Sequence, residues 1–392
     1  MSQPTDAILR GVVDLHTREE LEVKLKRDRP LRVKLGVDPT SKDIHLGHTV
    51  VLRKLRQFQD AGHQAILIIG DFTALVGDPT GQSKTRPPLT PEQVDENAKT
   101  YLEQVSSVLD MKTLMIVHNS EWLAPLTFRD IVKWTAKMTV ARIMERDDFS
   151  KRFREGSPIS LHEFMYIFMQ AYDSVFLKAD VELGGQDQLF NLMAGRDLMR
   201  AAEIEPQVAL TVPLLVGTEG TLKMSKSYGN HVGVRDEAFE MFSKIMRIPD
   251  SIMTNWYTVL TSVPLGEVRA ICDTQQTHPR DAKRRLAREI VSGFHGAAAA
   301  KTADDRWLAE KSRGEIPEEI PPLSIGPDIA NLVAIVRKTG LAASNNEARR
   351  LIEQGGVEID GEKLTDLAAP QKIKAGAVLR VGKKKRYFRL VP

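Results

Sequence analysis

Residues 31–37, L-R-V-K-L-G-V, alternate apolar and polar side chains, the two-residue period of a strand. From 46 to 61 the spacing changes to that of a helix, with Val50, Leu55 and Phe58 among the apolar positions. Q-A-I-L-I-I-G-D (64–71) is a short, unbroken apolar run of the kind that forms a buried parallel strand. A helix-like stretch at 91–109 leads to a second run, T-L-M-I-V-H-N (113–119), and Val208 to Val216 predicts a further strand. Strands alternating with helices predict an α/β fold around a parallel sheet. Ligands of such sheets bind beyond the C-terminal strand ends. After about residue 232 the pattern becomes helical through 235–312, including D-A-K-R-R-L-A-R-E-I-V at 281–291. The segment 314–327 holds four prolines and reads as a linker. Beyond it come helix-like 331–339, helix-like 344–354 and short strands ending in V-L-R-V-G-K-K-K-R-Y-F-R-L. The expected organisation is therefore 1–232, 233–313, a linker at 314–330 and a small α+β unit at 331–392. No internal repeat is visible.

With 392 residues, 42% hydrophobic and 27% charged, the chain has the composition of a globular protein with room for two or three domains. Its net charge of +3 is unevenly spread. From Leu332 to Pro392 there are 13 basic and 6 acidic residues, leaving 42 basic and 46 acidic in the rest. A basic end on a mildly acidic body predicts a polyanionic partner held mainly at that end. The single cysteine, Cys272, excludes an intramolecular disulfide and suits a reducing compartment. The first ten residues lack the apolar core of a signal peptide, and no apolar run approaches the ~20 residues that span a bilayer. A cytoplasmic protein with no membrane contact is expected.

The first strand runs into D-P-T-S-K-D-I-H-L-G-H (38–48). Asp38 and Pro39 end the strand, and Ser41 or Asp43 is placed to cap the next helix. His45 and His48, three apart, share one helical face, where free backbone N–H groups and partial positive charge suit a phosphate. Gly47 between them would allow close approach of a nucleotide's base or ribose. A pair of surface histidines, or two ligands of a zinc ion, are the alternatives, and one distant cysteine supports zinc poorly. The second motif is K-M-S-K-S (223–227). Lys223 and Lys226 are mobile point charges that can follow developing charge on a phosphate, with Ser225 and Ser227 as hydroxyl donors and Gly229 allowing movement. The plainer reading is a solvated turn of mixed polarity.

The two motifs in this order, about 175 residues apart with an α/β pattern between them, are far more specific than either alone. On H-L-G-H and K-M-S-K-S the chain resembles the class I aminoacyl-tRNA synthetases. On G-V-D-P-T (36–40), M-Y-I-F-M-Q-A-Y-D (165–173) and G-G-Q-D-Q (184–188) it resembles the bacterial tyrosyl-tRNA synthetase family. The resemblance covers the whole chain. It implies a Rossmann-like catalytic domain over 1–232, a helical anticodon-side domain over 233–313, an S4-type RNA-binding domain over 331–392 and a homodimer. The implied reaction joins tyrosine to ATP as tyrosyl-adenylate, releases pyrophosphate, and passes the tyrosyl group to the terminal adenosine of tRNA.

The resemblance also assigns residues. Tyr166, Gln170 and Asp78 would surround the amino group of tyrosine, and Asp173 would accept a hydrogen bond from the phenol. Tyr166, Gln170 and Asp173 fall at i, i+4 and i+7, so spacing also puts them on one helix face. Three polar groups on an apolar helix need partners, whether within a core or from a ligand. Gly185, Asp187 and Gln188 match ribose and substrate-carboxylate contacts, while a glycine turn with a capping Asp is the plainer reading. Asp38, Thr40, Gly47, Met224, Ser225 and Ser227 complete the implied ATP site. Lys84 and Arg86, in G-D-P-T-G-Q-S-K-T-R-P-P (77–88), resemble cations that reach pyrophosphate; in some relatives the first stands at the position of Gln82. Lys34 is a departure, because many relatives carry a tyrosine there that touches the phenol; a lysine could donate to the phenol oxygen instead. Magnesium is expected to enter with ATP, and no carboxylate cluster dedicated to a metal is visible.

In the last sixty residues, L-A-A-S-N-N-E-A-R-R-L-I-E-Q-G-G-V-E-I-D-G carries the S4 resemblance. Arg349, Arg350, Lys383, Lys384, Lys385 and Arg386, interleaved with Tyr387 and Phe388, suit phosphate contact and stacking. Two rivals remain at this level. Tryptophan activation is opposed by D-P-T before the histidines and by Asp173; a non-catalytic RNA-binding relative is opposed by the intact motifs.

Overall fold

In the computed structural model the described residues are 4–40, 43–78, 90–312, 320–326, 331–364, 376–382 and 386–391. They divide into two compact units, one ending at Asp304 and one beginning at Asp305.

The first unit is built on six strands: β1 (Leu15–His16), β2 (Arg32–Val37), β3 (Gln64–Ile69), β4 (Met115–His118), β5 (Val181–Gly185) and β6 (Val208–Val212). Their order across the sheet is β1-β6-β5-β2-β3-β4, parallel except for the short antiparallel edge strand β1. Residues Ala65 to Ile69 are fully buried, which is why that segment reads as a continuous apolar run. The strand expected to reach Val216 stops at Val212, because Pro213 has no N–H to give the ladder. The expected mixed α/β architecture with a parallel, Rossmann-like core is present.

The chain builds outward from β2 in two directions. Helix α1 (Leu46–Asp60) carries it to β3, and α2 (Pro91–Val105) to β4. Helix α3 (Leu161–Leu177) then returns it to β5 on the other side of β2, followed by α4 (Leu189–Ala201) and β6. The strand order therefore reverses between β2 and β5, leaving a crevice at their C-terminal ends.

Helix α1 buries Leu46, Val50, Leu52, Leu55 and Phe58 against the sheet. Helix α3 opens with a capping box, Ser160 N–H donating to Glu163 Oε1 at 2.8 Å, and buries Ile167, Phe168, Ala171 and Val175. After residue 232 the helices include α5 (Met253–Leu260) and a helical stretch from Pro279 interrupted at Gly296, where φ is 83°. Trp256 on α5 is fully buried and its indole N–H donates to the Val216 carbonyl at 3.1 Å.

In the second unit, helices α6 (Leu332–Lys338) and α7 (Asn345–Glu353) accompany a five-stranded sheet. Its strands are β7 (Pro322–Ser324), β8 (Val357–Ile359), β9 (Glu362–Lys363), β10 (Val378–Val381) and β11 (Arg386–Val391), in the order β7-β11-β10-β8-β9. Part of the proline-rich stretch thus pairs as an edge strand, parallel to β11, where a proline at the first position costs no ladder bond. Ile335, Val336, Ile352, Leu379 and Leu390 form its core.

Phe58 fills the α1–sheet interface with no exposure. Phe58→Ala is expected to cost about 3–5 kcal/mol, read as a lower urea midpoint at unchanged slope.

Candidate active site

A cavity of about 320 Å³ occupies the crevice where the strand order reverses. The end of β2 supplies Leu35 to Asp38 and the end of β5 supplies Leu183 to Gly185, while α3 lends Tyr166, Gln170 and Asp173. Thr40, Asp78, His48 and Gln188 also line it. Of the sequence-predicted substrate residues, Asp38, Thr40, Asp78, Tyr166, Gln170, Asp173, Gly185 and Gln188 are thereby brought to one cavity, whereas Lys34, Gly47, Asp187, Met224, Ser225 and Ser227 do not line it.

The wall is rich in carboxylates. Asp38 Oδ1 accepts from the Thr73 hydroxyl at 2.7 Å and Oδ2 from the Tyr166 hydroxyl at 2.9 Å. A Cβ at Gly70 would lie 2.1 Å from Asp38 Oδ1, so only glycine at 70 leaves the carboxylate its place. Asp78 Oδ2 accepts from Gln188 Nε2 at 2.9 Å, and Gln188 Oε1 in turn accepts from Asn191. Burial, with Asp38, Asp78 and Asp173 nearby, raises the Tyr166 phenol well above its usual range, so it remains a donor. Asp173 Oδ1 accepts from Trp122 Nε1 at 2.8 Å, and burial pushes its carboxyl up to about 7 against the opposing pull of Lys34. Gln170 Oε1 is buried with no hydrogen-bond partner among the described residues. Three carboxylates and a waiting amide oxygen make a receptor for an ammonium group and other donors.

Lys34 does not line the cavity. Its ammonium lies 3.0 Å from Glu182 Oε1 and donates to the Gln170 carbonyl at 3.3 Å. The strand alternation does set it on the face opposite Leu35, as expected.

The histidine motif opens α1 differently from the expectation that Ser41 or Asp43 caps it. Ser41 lies outside the described residues, and His45 is itself the N-cap. Its ring Nδ1 accepts from the Gly47 N–H at 3.2 Å, and His48 Nδ1 accepts from the His45 N–H at 3.1 Å. Burial lowers His45 to about 2, helped by His48, His231 and Lys226. Burial lowers His48 to about 4 against the His45 backbone bond. Both rings are therefore neutral at pH 7. Because both Nδ1 atoms accept, the protons sit on Nε2, and each ring offers one N–H donor rather than a positive charge. Gly47 is required by the ring itself: a Cβ there would meet His45 at 2.9 Å.

The lysine motif is held beside it by backbone pairing. Leu46 N–H donates to the Val232 carbonyl at 2.9 Å and Val234 N–H to the Ile44 carbonyl at 3.1 Å, with His45 bridged to Gly233. Met224 is buried near Gly47 and anchors the turn, while Lys223 and Lys226 stand half-exposed. Lys223 is 3.7 Å from Asp187 Oδ2 and Lys226 is 3.3 Å from Asp43 Oδ2. Ser225 caps a short turn by accepting from the Ser227 N–H, and Gly229 closes it with a left-handed φ of 65°. Gly185 leads into another short turn, Gln186–Gln188, whose Asp187 is raised by burial.

Sequence reasoning missed some organising residues. Asn230 is buried and folds the lysine loop: its side chain accepts from Ser225 N–H at 2.8 Å and donates to the Lys223 carbonyl at 3.1 Å. Asn97 donates to the Pro39 carbonyl at 2.9 Å and Gln104 accepts from Ile44 N–H at 3.0 Å, while Tyr101 between them reaches the cavity. These three fall at i, i+4 and i+7 of α2, the polar-stripe signal that could have found them. Lys84, Arg86 and Gln82 lie outside the described residues, as do Lys383, Lys384 and Lys385. In the second unit Arg349 and Arg350 are exposed on α7, and Arg386 is exposed at the start of β11.

Residues 26–309 match the family model for "tRNA synthetases class I (W and Y)", and residues 314–390 match the "Tyrosine--tRNA ligase SYY-like C-terminal domain". The chain belongs to the class I tRNA synthetases of the tryptophan and tyrosine branch. Among its relatives, the tyrosine--tRNA ligase of Moorella thermoacetica is 50% identical over 383 residues, spanning 96% of this chain and 93% of that protein. That of Aquifex aeolicus is 51% identical over 380 residues, spanning 97% and 96%. Similar folds include a C-terminally truncated Aspergillus nidulans mitochondrial tyrosyl-tRNA synthetase, with TM-score 0.65 at 22% identity over 79% of this chain and 94% of that one. Another is the Archaeoglobus fulgidus tyrosyl-tRNA synthetase complexed with L-tyrosine, with TM-score 0.62 at 24% identity over 77% and 100%.

The histidine state is measurable. Long-range proton–nitrogen correlation spectra should show His45 and His48 as neutral Nε2–H tautomers from pH 8 down to 5. Their depressed values also mean that the unfolded chain binds more protons below about pH 6.5. Stability should therefore fall as the pH drops through 6 to 4, less so in His48→Gln.

Proposed function

We propose that the protein is a tyrosine--tRNA ligase: it activates L-tyrosine with ATP and transfers the tyrosyl group to the 3′-terminal adenosine of tRNA(Tyr). The observation that carries this reading is the conjunction, around one cavity, of Asp78, Gln170 and Tyr166 for an ammonium and Asp173 for a phenol. The histidine and lysine motifs stand beside them. Relatives about half identical along nearly the whole chain bear that name.

In this reading the tyrosine ammonium sits against Asp78 and the Gln170 side-chain oxygen, and its phenol donates to Asp173. The carboxylate, already a nucleophile at neutral pH, attacks the α-phosphate of ATP, so no general base is needed. The phosphates lie between the α1 N-terminus and the lysine loop. His45 and His48 donate Nε2–H bonds, while Lys223 and Lys226 leave Asp187 and Asp43 to meet the charge that builds on pyrophosphate. Arg86 and Lys84 would assist. Thr40, Asp38, Gly185, Asp187, Met224, Ser225 and Ser227 shape the nucleotide site, with Gln188 beside the substrate carboxylate. Magnesium accompanies ATP; among the described residues no group of three acidic, histidine or cysteine side chains could hold a metal on its own.

The remaining assignments follow the same reading. Residues 1–232 form the catalytic domain, 233–313 the helical anticodon side, 314–330 the linker and 331–392 an S4-type domain binding tRNA through Arg349, Arg350, Arg386 and the lysines before it. The partner is a second copy of the chain. The helix Phe128–Thr135 buries none of its residues, and Phe128, Phe153 and Leu161 are 81%, 71% and 81% exposed, supporting an apolar homodimer face. Among the described residues no helix is long and apolar enough to cross a membrane, and the work of the enzyme places it in the cytoplasm with its tRNA.

ATP–pyrophosphate exchange with tyrosine, tryptophan and phenylalanine in parallel tests the reading. Exchange with tyrosine alone is expected; exchange with tryptophan would overturn the pocket assignment, and none at all would favour an RNA-binding role. Lys226→Ala should lower kcat by about 10²–10³ with a smaller change in the tyrosine KM. Arg349→Glu/Arg350→Glu should weaken tRNA binding and flatten its salt dependence while leaving exchange intact.

A further inference from the structure

The register of the sheet puts Lys34 of β2 directly opposite Glu182 of β5. Their side chains meet at 3.0 Å on the face turned toward α3, each almost wholly buried. Glu182 is fully committed: its other oxygen accepts from Ser174 Oγ at 2.8 Å and Gln207 Nε2 at 2.7 Å. The second bond of Lys34 goes to the carbonyl of Gln170. The pair therefore underlies the turn 170–174, which presents Gln170 and Asp173 to the cavity. A buried ion pair is poor value for stability alone, since an apolar pair of the same volume serves as well. Its position suggests a different use.

Resting on the tyrosine reading above, we infer that the Lys34–Glu182 pair is a specificity-determining device. Lys34 cancels the Glu182 charge beneath the cavity and so keeps Asp173 an anionic acceptor for the substrate phenol. Lys34 acts through Asp173 and is a positioning residue, not a phenol ligand. Among the described residues, the groups that bear on Asp173 include Lys34 from β2, Glu182 from β5, Tyr166 from its own helix, and Trp122 and Asn119 from the segment after β4, with Trp122 donating to it at 2.8 Å. Of these Lys34 is the cation, and Glu182 a second buried carboxylate that would hold the Asp173 proton on if left unpaired. With the pair intact Asp173 titrates at about 7, within reach of ionisation at working pH.

The test is the pH profile of tyrosine- and phenylalanine-dependent exchange between pH 5.5 and 9. For the unaltered enzyme, kcat/KM for tyrosine should rise through about pH 7 and level off, while that for phenylalanine should lack the rise. In Lys34→Met the limb should move up by about one unit, an about fivefold loss at pH 7 that is largely recovered at pH 9. Glu182→Gln should move it down, and Lys34→Met/Glu182→Gln, which keeps the charge balanced, should return it close to its original position. A uniform loss at all pH values with the limb unmoved would reduce the pair to packing and overturn the inference. So would a double variant that loses tyrosine preference at every pH, because Lys34 would then touch the phenol itself. If Lys34→Met alone does not fold, Glu182→Gln and the double variant decide between these outcomes. Absence of tyrosine exchange in the unaltered enzyme would instead sink the functional reading.

Discussion

The position of β2 governs the rest of the molecule. It pairs with β3 on one side and β5 on the other, and the chain reaches those neighbours by winding in opposite directions. Helices following the two strands diverge, so the space above their C-terminal ends cannot be filled by the backbone. Everything with chemical potential is then hung from that gap: the 36–40 turn at the end of β2, the glycines at the end of β5, and the polar stripe of α3. The same pairing register sets Lys34 against Glu182, so one arrangement of hydrogen bonds fixes both the cavity and the charges beneath it.

The electrostatics are divided across the site. One wall gathers Asp38, Asp78 and Asp173, each held by a donor such as Thr73, Tyr166, Gln188 or Trp122. The other presents neutral histidine N–H groups and two half-exposed lysines, each 3.3–3.7 Å from a single carboxylate. An ammonium is drawn to the first and a phosphate chain to the second. Burial keeps the histidines uncharged, so they add directional donors without competing with the lysines for the same anion.

The two motifs meet because short stretches of backbone pair between 44–46 and 232–234, and because Asn230 and Ser225 tie the lysine turn to itself. The lysine side chains remain half-exposed on a fixed base. Helix α2 performs the matching task for the 38–44 segment through Asn97 and Gln104. A backbone-tied base with long, half-exposed cationic tips suits a reaction in which charge moves along a phosphate chain.

Much of this was legible in the residues. The alternation of 31–37, the apolar run 64–69 and the helical spacing of 46–60 reflect how many faces each segment buries, a local property that a linear pattern records. The motif spacing and the i, i+4, i+7 stripe of Tyr166, Gln170 and Asp173 did the same for the site. Other features depend on partners distant in sequence. That Lys34 pairs with Glu182 follows from the β2–β5 register, and that the histidines are neutral follows from burial and from which nitrogen accepts a backbone N–H. The roles of Asn230, Asn97 and Gln104 follow from the carbonyls and amides that the folded chain brings to them. Sequence determined which segments are strands or helices and which chemistry is on hand, because propensity and periodicity are local. Tertiary structure alone decided protonation, pairing and direction, because these are set by neighbours that only the fold supplies.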